Sequence, residues 1–350
     1  MLTYQGNVIT KHTDVNNWIN VSVSPCPIPH NTIRVRTNDG NPPHKGELTS
    51  YETATLVPGT NDVYDVYKSG TDFSYLLAWS TNVVEILEAN TTGITNMYYM
   101  FRDCYLLQTV PLFDTSSVTN MYSMFAMNGQ PDNILESVPL FDTSNVTDMT
   151  AMFSNCKSLK SVPLFNTSKV TNMASMFETC TSLTSVPLFD TSKVTNMAYM
   201  FTDCELLTSV PLFDTSNVTW MFAMLAGCTS LTSVPLFDTS KVTDMEAMLS
   251  GCTSLTSIPL FNTSNVTDMR AMLSGCTSLT SIPLFNTSKV IDITRAFNGC
   301  VNVQSGIWAM YSQASSQTIP PTYHSETFRN CGINTTSGQA ELSGIPNNWK

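Results

Sequence analysis

The sequence predicts an α/β solenoid: about nine coils of 24 residues, each a short parallel strand followed by a short helix, with a β-rich N-terminal domain and a C-terminal cap. Three observations predict it. The triplet Pro-Leu-Phe recurs from Pro111 to Pro283, once at an interval of 28 residues and then six times at 24. A Phe or Leu stands three residues before Cys eight times, from Phe101/Cys104 to Phe297/Cys300, and Phe125/Asn128 is a ninth copy with Asn for Cys. Sixteen of the nineteen Met fall in pairs, from Met97/Met100 to Met269/Met272. A unit repeated at this interval cannot bury its apolar face alone, but a stack of such units buries a continuous core.

The elements follow in order. Residues 1–81 carry strand-like alternation in "NTIRVRT", "ETATLV" and "VYDVYK", separated by the turn signals "NDGNPP" and "PGTND". They are expected to form a β-rich capping or attachment domain, docked through Asp72 to Trp79 as a helix or strand. Residues 82–305 form the coils, beginning with a degenerate copy at Val83 to Phe101.

Within a coil, "LTSVPL" has the L-x-x-L-x-L strand pattern of leucine-rich repeats. Leu183, Val186 and Leu188 are expected to point inward, with Thr184, Ser185 and Pro187 on a concave face. Proline lacks an N–H, so the regular ladder should cover mainly "LTSV". The turn "FDTSKV" follows. Its Asp190 position exchanges freely between Asp and Asn from Asp114 to Asn286, which fits an Asx turn and not a metal ligand. Then Thr195 or Asn196 caps a short helix whose apolar face is Met197, Met200, Phe201 and Cys204. Methionine here reads as soft core filler. Residues 306–350 close the far end, with "GIWAMYSQA" as a helix.

The unit "VPLFDTSNVTNMxxMFxxCTSLTS" resembles the repeat of the BspA-like leucine-rich repeat surface proteins of bacteria, over roughly residues 82–305. The resemblance implies a solenoid and an extracellular role in adhesion to host proteins, other bacteria or matrix, and it implies no enzyme. Neither an export signal nor a wall anchor is visible, so a second setting is a structural phage virion component, a fibre or decoration protein held through residues 1–81.

Composition narrows the chemistry. Only 12% of residues are charged and the net charge is −11, which disfavours nucleic acid and anionic membranes. Apolar runs are too short to span a bilayer. The four His, at positions 12, 30, 44 and 324, make no ligand spacing, and no phosphate loop or nucleophile elbow occurs. Catalysis needs unlike groups brought together, whereas coil-to-coil translation stacks like groups. Neither enzyme activity nor a cofactor is expected. Cys104, Cys156, Cys180, Cys204, Cys228, Cys252, Cys276 and Cys300 should form a buried column of reduced thiols, because side chains pointing in parallel are poorly placed to bridge. The role of Cys26 stays open. The candidate partner-binding residues are the aromatics at variable positions: Tyr98, Tyr99, Tyr122, Tyr199, Trp220 and Phe222. They would meet a protein or glycan receptor, or else pack on adjacent coils.

Overall fold

The computed structural model describes residues 28–128 and 133–350, together with the backbone of three short strands before them. Those strands, β1 (Leu2–Tyr4), β2 (Asn7–Ile9) and β3 (Ser24–Pro25), pair antiparallel in that order. Cys26 and His12 lie outside the described residues, as do four residues of the long interval, 129–132.

A second antiparallel sheet has β4 (Thr32–Thr37), β5 (Thr53–Leu56), β6 (Val63–Tyr67) and β7 (Val83–Asn90) in the order β5-β6-β4-β7. The first three of these fall on the alternating stretches of the sequence. Ile33 and Val35 of β4, Val66 of β6 and Ile86 of β7 turn one face of the sheet into the core. On the other face Arg34 bonds Asp65 at 2.7 Å. Strand β7 leads directly into the coils, because Ile86 N–H donates to Thr109 O of the next turn at 3.2 Å.

The coils are a stack of parallel turns. One column of backbone bridges runs from Asp72 through Asn96, Asn120, Asp148 and on to Asp292 and Tyr323. Within a coil, alternate N–H groups point along the stack: those of Met197, Tyr199, Phe201 and Asp203 donate to the carbonyls of Trp220, Phe222, Met224 and Ala226 at 2.7–3.1 Å. Asp72–Trp79, expected to be a docking helix or strand, already belongs to this ladder, with Phe73, Tyr75, Leu77 and Trp79 donating to the following coil.

Two expectations for the coil are overturned. Among the described residues of the coils no α-helix forms over the Met-Met-Phe-Cys stretch. It is instead two tandem four-residue turns, closed by Met200 N–H to Met197 O at 3.2 Å and Cys204 N–H to Phe201 O at 3.1 Å. The third residue of each turn is left-handed, Tyr199 at φ 58° and Asp203 at φ 57°, as a type II turn requires. Two such turns place their first and last residues inward, so they give the same three-and-four spacing of apolar residues as a helix. The N–H groups that a helix would spend on itself go to the neighbouring coil. Gly227, Gly251, Gly275 and Gly299 fill the second left-handed position in later coils. A Cβ on Gly227 would sit 2.1 Å from Asp203 Oδ1.

The second correction concerns the strand. "LTSV" makes only sparse inter-coil bonds, and Leu188 does not point inward: it is 60% exposed, while Leu183, Val186 and Phe189 are buried. The cause is a three-residue turn in which Phe189 N–H donates to Pro187 O at 3.0 Å. This γ-turn lifts its central residue out of the coil and drops Phe189 into it.

Each coil thus contributes one core layer, for example Met197, Met200, Phe201, Cys204, Leu207, Val210, Phe213 and Val218. Phenylalanines stack between layers with nearly parallel rings, Phe153 on Phe177 at 5.8 Å and Phe177 on Phe201 at 5.6 Å. At the far end, α1 (Ile307–Ser315) buries Ile307, Met310 and Ala314. It starts at Gly306, where a Cβ would sit 2.2 Å from Ile282 O. Residues 323–331 return to add a last rung, with Ile293, Arg295 and Phe297 donating to Tyr323, Ser325 and Thr327. Helix α2 (Thr336–Ser343), capped by Thr335 Oγ1, and the buried Trp349, stacked on His324 at 4.2 Å, complete the end.

Candidate functional site

The outward side chains of the turn ladder form three columns along the stack. The first begins each turn. In nine coils it carries Asn or Asp, from Asp72 to Asp292, whose Oδ1 accepts the N–H two residues on at 2.8–3.1 Å. These are Asx turns: the side chain holds a backbone donor that the ladder leaves over. Between Asp72 and Asp292, Trp220 is the exception; Tyr323, on the closing rung, is a second aromatic in the column. Trp220 stands in the same bridge column but offers no acceptor, so the turn at Phe222 lacks this cap.

The other two columns hold most of the predicted binding aromatics, and the structure sorts the six candidates into two groups. Tyr98, Tyr99 and Tyr122 join Tyr75 in one cluster at the N-terminal end, with ring centroids 4.1–5.5 Å apart. Tyr98, Tyr99 and Tyr122 are half-buried there, and Arg102 lies over the Tyr99 ring at 4.3 Å. Burial, with the neighbouring tyrosine hydroxyls, pushes the Tyr98 phenol well above its usual range. This cluster satisfies itself.

The second group lies four coils further along. Trp220 is 54% exposed and Tyr199 38%, and Tyr199 packs edge-on against half-buried Phe222 at 4.6 Å. Beside Trp220 a shallow groove of about 350 Å³ is lined by Thr171, Asn172, Thr195, Asn196 and Thr219. Asn172 and Asn196 spend Oδ1 on their own turns, at 3.0 and 2.9 Å, which leaves both Nδ2 groups as donors. No lining residue is charged. Further on, the columns turn ionic: Arg270 pairs with Glu246, with Asp268 at 3.0 Å and with Asp292 at 3.7 Å. Burial raises the Asp244 and Glu246 carboxyls.

Two internal columns hold the coils in register beneath this face. The eight repeat cysteines are buried and unbridged. Each Sγ donates back to a carbonyl of the previous coil, as Cys204 does to Phe177 O at 3.1 Å and Cys228 to Phe201 O at 3.1 Å. The thiol is therefore a hydrogen-bond donor as well as a small apolar filler. Burial pushes the Cys104 and Cys276 thiols up to about 12.

The second column escaped the sequence reading. In seven coils, from Thr115 to Thr263, the buried Thr of "DTS" or "NTS" donates to the carbonyl of the Asx residue one coil on, as Thr191 does to Asp214 O and Thr215 to Asp238 O, both at 2.8 Å, while in the last coil Thr287 Oγ1 lies 3.5 Å from Gln313 Oε1. The signal was available: Thr never varies there, although a solvent-facing turn position would accept any polar residue. The Asp190 position itself behaves as an Asx turn in all eight coils, with Ser192 N–H at 3.1 Å from Asp190 Oδ1.

Fold and face together define a repeat solenoid with an aromatic, uncharged groove at its middle. The chain matches the family model described as "Mycoplasma protein of unknown function, DUF285" in overlapping windows at residues 71–185, 128–235, 159–256 and 206–310, and it belongs to that family. Among solved structures, it is similar to a leucine-rich repeat protein from Eubacterium ventriosum (18% identity, TM-score 0.40, 75% of this chain and 82% of that one). It is also similar to a leucine-rich cell surface protein from Faecalibacterium prausnitzii (15%, TM-score 0.31, 85% and 89%). A third is the leucine-rich repeat protein of T. pallidum (17%, TM-score 0.33, 61% and 86%). No functionally curated protein matches the chain.

Proposed function

We propose that this chain is a non-enzymatic recognition module working outside the cell, in adhesion or receptor binding, and that its groove at Trp220 takes a neutral saccharide. The observation that carries the reading is Trp220 itself. In nine other coils the equivalent residue caps its own turn, and here the cap is given up for a half-exposed indole. A substitution that weakens the local fold and exposes an aromatic surface is what a binding site costs. The indole offers a flat apolar face for a pyranose ring. The Asn172 and Asn196 amides, with the Thr hydroxyls, offer uncharged hydrogen bonds beside it. The volume sits at the low end of small-ligand sites, about 300–1,000 Å³. The resemblance to BspA-like repeats supports the extracellular setting. Stacked like groups give area and few convergent unlike ones, which supports a binding role over catalysis.

The test is a screen of neutral glycans against the full chain and its Trp220→Asn variant. Asn restores the cap of the other coils, so the variant should keep or raise the melting temperature while glycan affinity falls at least about tenfold. Undiminished binding by the variant, or no glycan bound by the parent, would sink the reading.

A further inference from the structure

The leucine of each Pro-Leu-Phe triplet, from Leu112 to Leu284, is 50–66% exposed, eight in one column along the stack. The γ-turn that exposes it is built into the coil, since Phe165, Phe189 and Phe213 N–H groups all donate to the proline two residues before. Solvent would accept any residue at such a tip. Other surface positions do vary from coil to coil, Asp190 with Asn166, Lys193 with Asn217, and Tyr199 with Ala223, whereas this leucine never does. The column exposes on the order of 100 Å² of leucine per coil, or roughly 800 Å² in all, more than the about 300–600 Å² of the largest apolar patch on an ordinary monomer.

We infer that this leucine column is a homodimer interface, covered in solution by the same column of a second copy. Three features select that occupant. The area available equals the roughly 800 Å² per partner of a standard stable interface. A second column has the same tooth spacing, set by the coil rise, so each leucine of one copy can pack beside its equivalent in the other, level with it, along the whole length. The flanks also match. Asp190 and its equivalents line one side of the column, and Thr184, Ser185 and their equivalents line the other. A two-fold parallel to the stack lays the Asp side of each copy over the Thr/Ser side of its partner, where hydroxyls can donate to carboxylates and no like charges meet. The proposal is independent of the Trp220 reading.

Sedimentation equilibrium of the full chain tests it. The expected species at about 10 µM is twice the 38.5 kDa chain mass. The Leu188→Glu/Leu212→Glu/Leu236→Glu variant should weaken dimerisation at least about 100-fold while keeping the circular dichroism and melting temperature of a monomer. Should that variant misfold, Leu212→Cys provides the second measurement: under mild oxidation it should form an intermolecular disulfide, because Leu212 meets its own copy across this two-fold. A parent chain that stays monomeric at about 100 µM overturns the proposal. So does a folded triple-Glu variant that still dimerises, a Leu212→Cys chain that never cross-links, or a monomeric parent that uses the column to bind neutral lipid vesicles.

Discussion

Replacing Thr215 by Val removes one hydroxyl from the threonine column and nothing else of size. Thr215 is 1% exposed and its Oγ1 lies 2.8 Å from Asp238 O. A typical buried hydrogen bond contributes about 0.5–1.5 kcal/mol net, and a carbonyl left dry costs about 1–3 kcal/mol. The added methyl returns less than about 0.8 kcal/mol. The expected loss is therefore about 1–2 kcal/mol per site. Because each threonine serves a different carbonyl, the combination Thr167→Val/Thr215→Val/Thr263→Val, in alternate coils, should add to about 3–6 kcal/mol. The assay is urea unfolding followed by circular dichroism, with the exposed Thr184→Val as control, expected within about 0.5 kcal/mol of the parent. A triple variant that loses less than about 1 kcal/mol, or a control that loses as much as a buried site, would show that the column does not hold the coils together.

Two further outcomes follow from the same geometry. The nine described cysteines should stay silent to a thiol reagent at pH 8 in the folded protein, because burial holds thiols such as Cys104, Cys276 and Cys331 near 12. All ten should react in denaturant, and rapid labelling of more than one thiol in the native state contradicts the buried column. Acid acts with two signs. Ser hydroxyls and N–H groups two residues on hold Asp114, Asp142, Asp190, Asp214 and Asp238 below 3.8, so their stabilisation is complete above that value and is lost as pH falls below it. Burial raises Asp103, Asp244 and Glu246, so their contribution favours the fold at low pH and is lost as pH rises through the raised values. The melting temperature should therefore peak on the acid side of neutrality and fall below about pH 4. An Asp190→Asn/Asp214→Asn/Asp238→Asn variant should fall less steeply there, and an unchanged acid slope would remove the Asx carboxylates from the account.

The period, the coil count and the identity of most core residues could be read from the sequence, because stacking like on like writes itself as repetition. The turn chemistry was less legible. Met197, Met200, Phe201 and Cys204 have the spacing of a helical face, and two tandem turns produce the same spacing. The Gly before Cys in "LAGC" and "LSGC" argued against a helix, since Gly227, Gly251 and Gly275 sit where the backbone is left-handed. Leu188 read as core because it completes L-x-x-L-x-L, yet Pro187 closes a turn that expels it. Of the candidate aromatics, spacing could not separate Tyr98, which neighbouring rings cover, from Trp220, which stands open.

By itself, then, the sequence determined that this chain stacks, what each layer contains and that the stacked groups are alike. Each of those follows from local apolar pattern and period. Only the tertiary structure decided where the backbone hydrogen bonds go, which leucine faces water and which aromatic remains uncovered. Those outcomes depend on the neighbouring coil: a donor at Phe201 is satisfied 23 residues away at Met224, and no window shorter than one coil contains both partners.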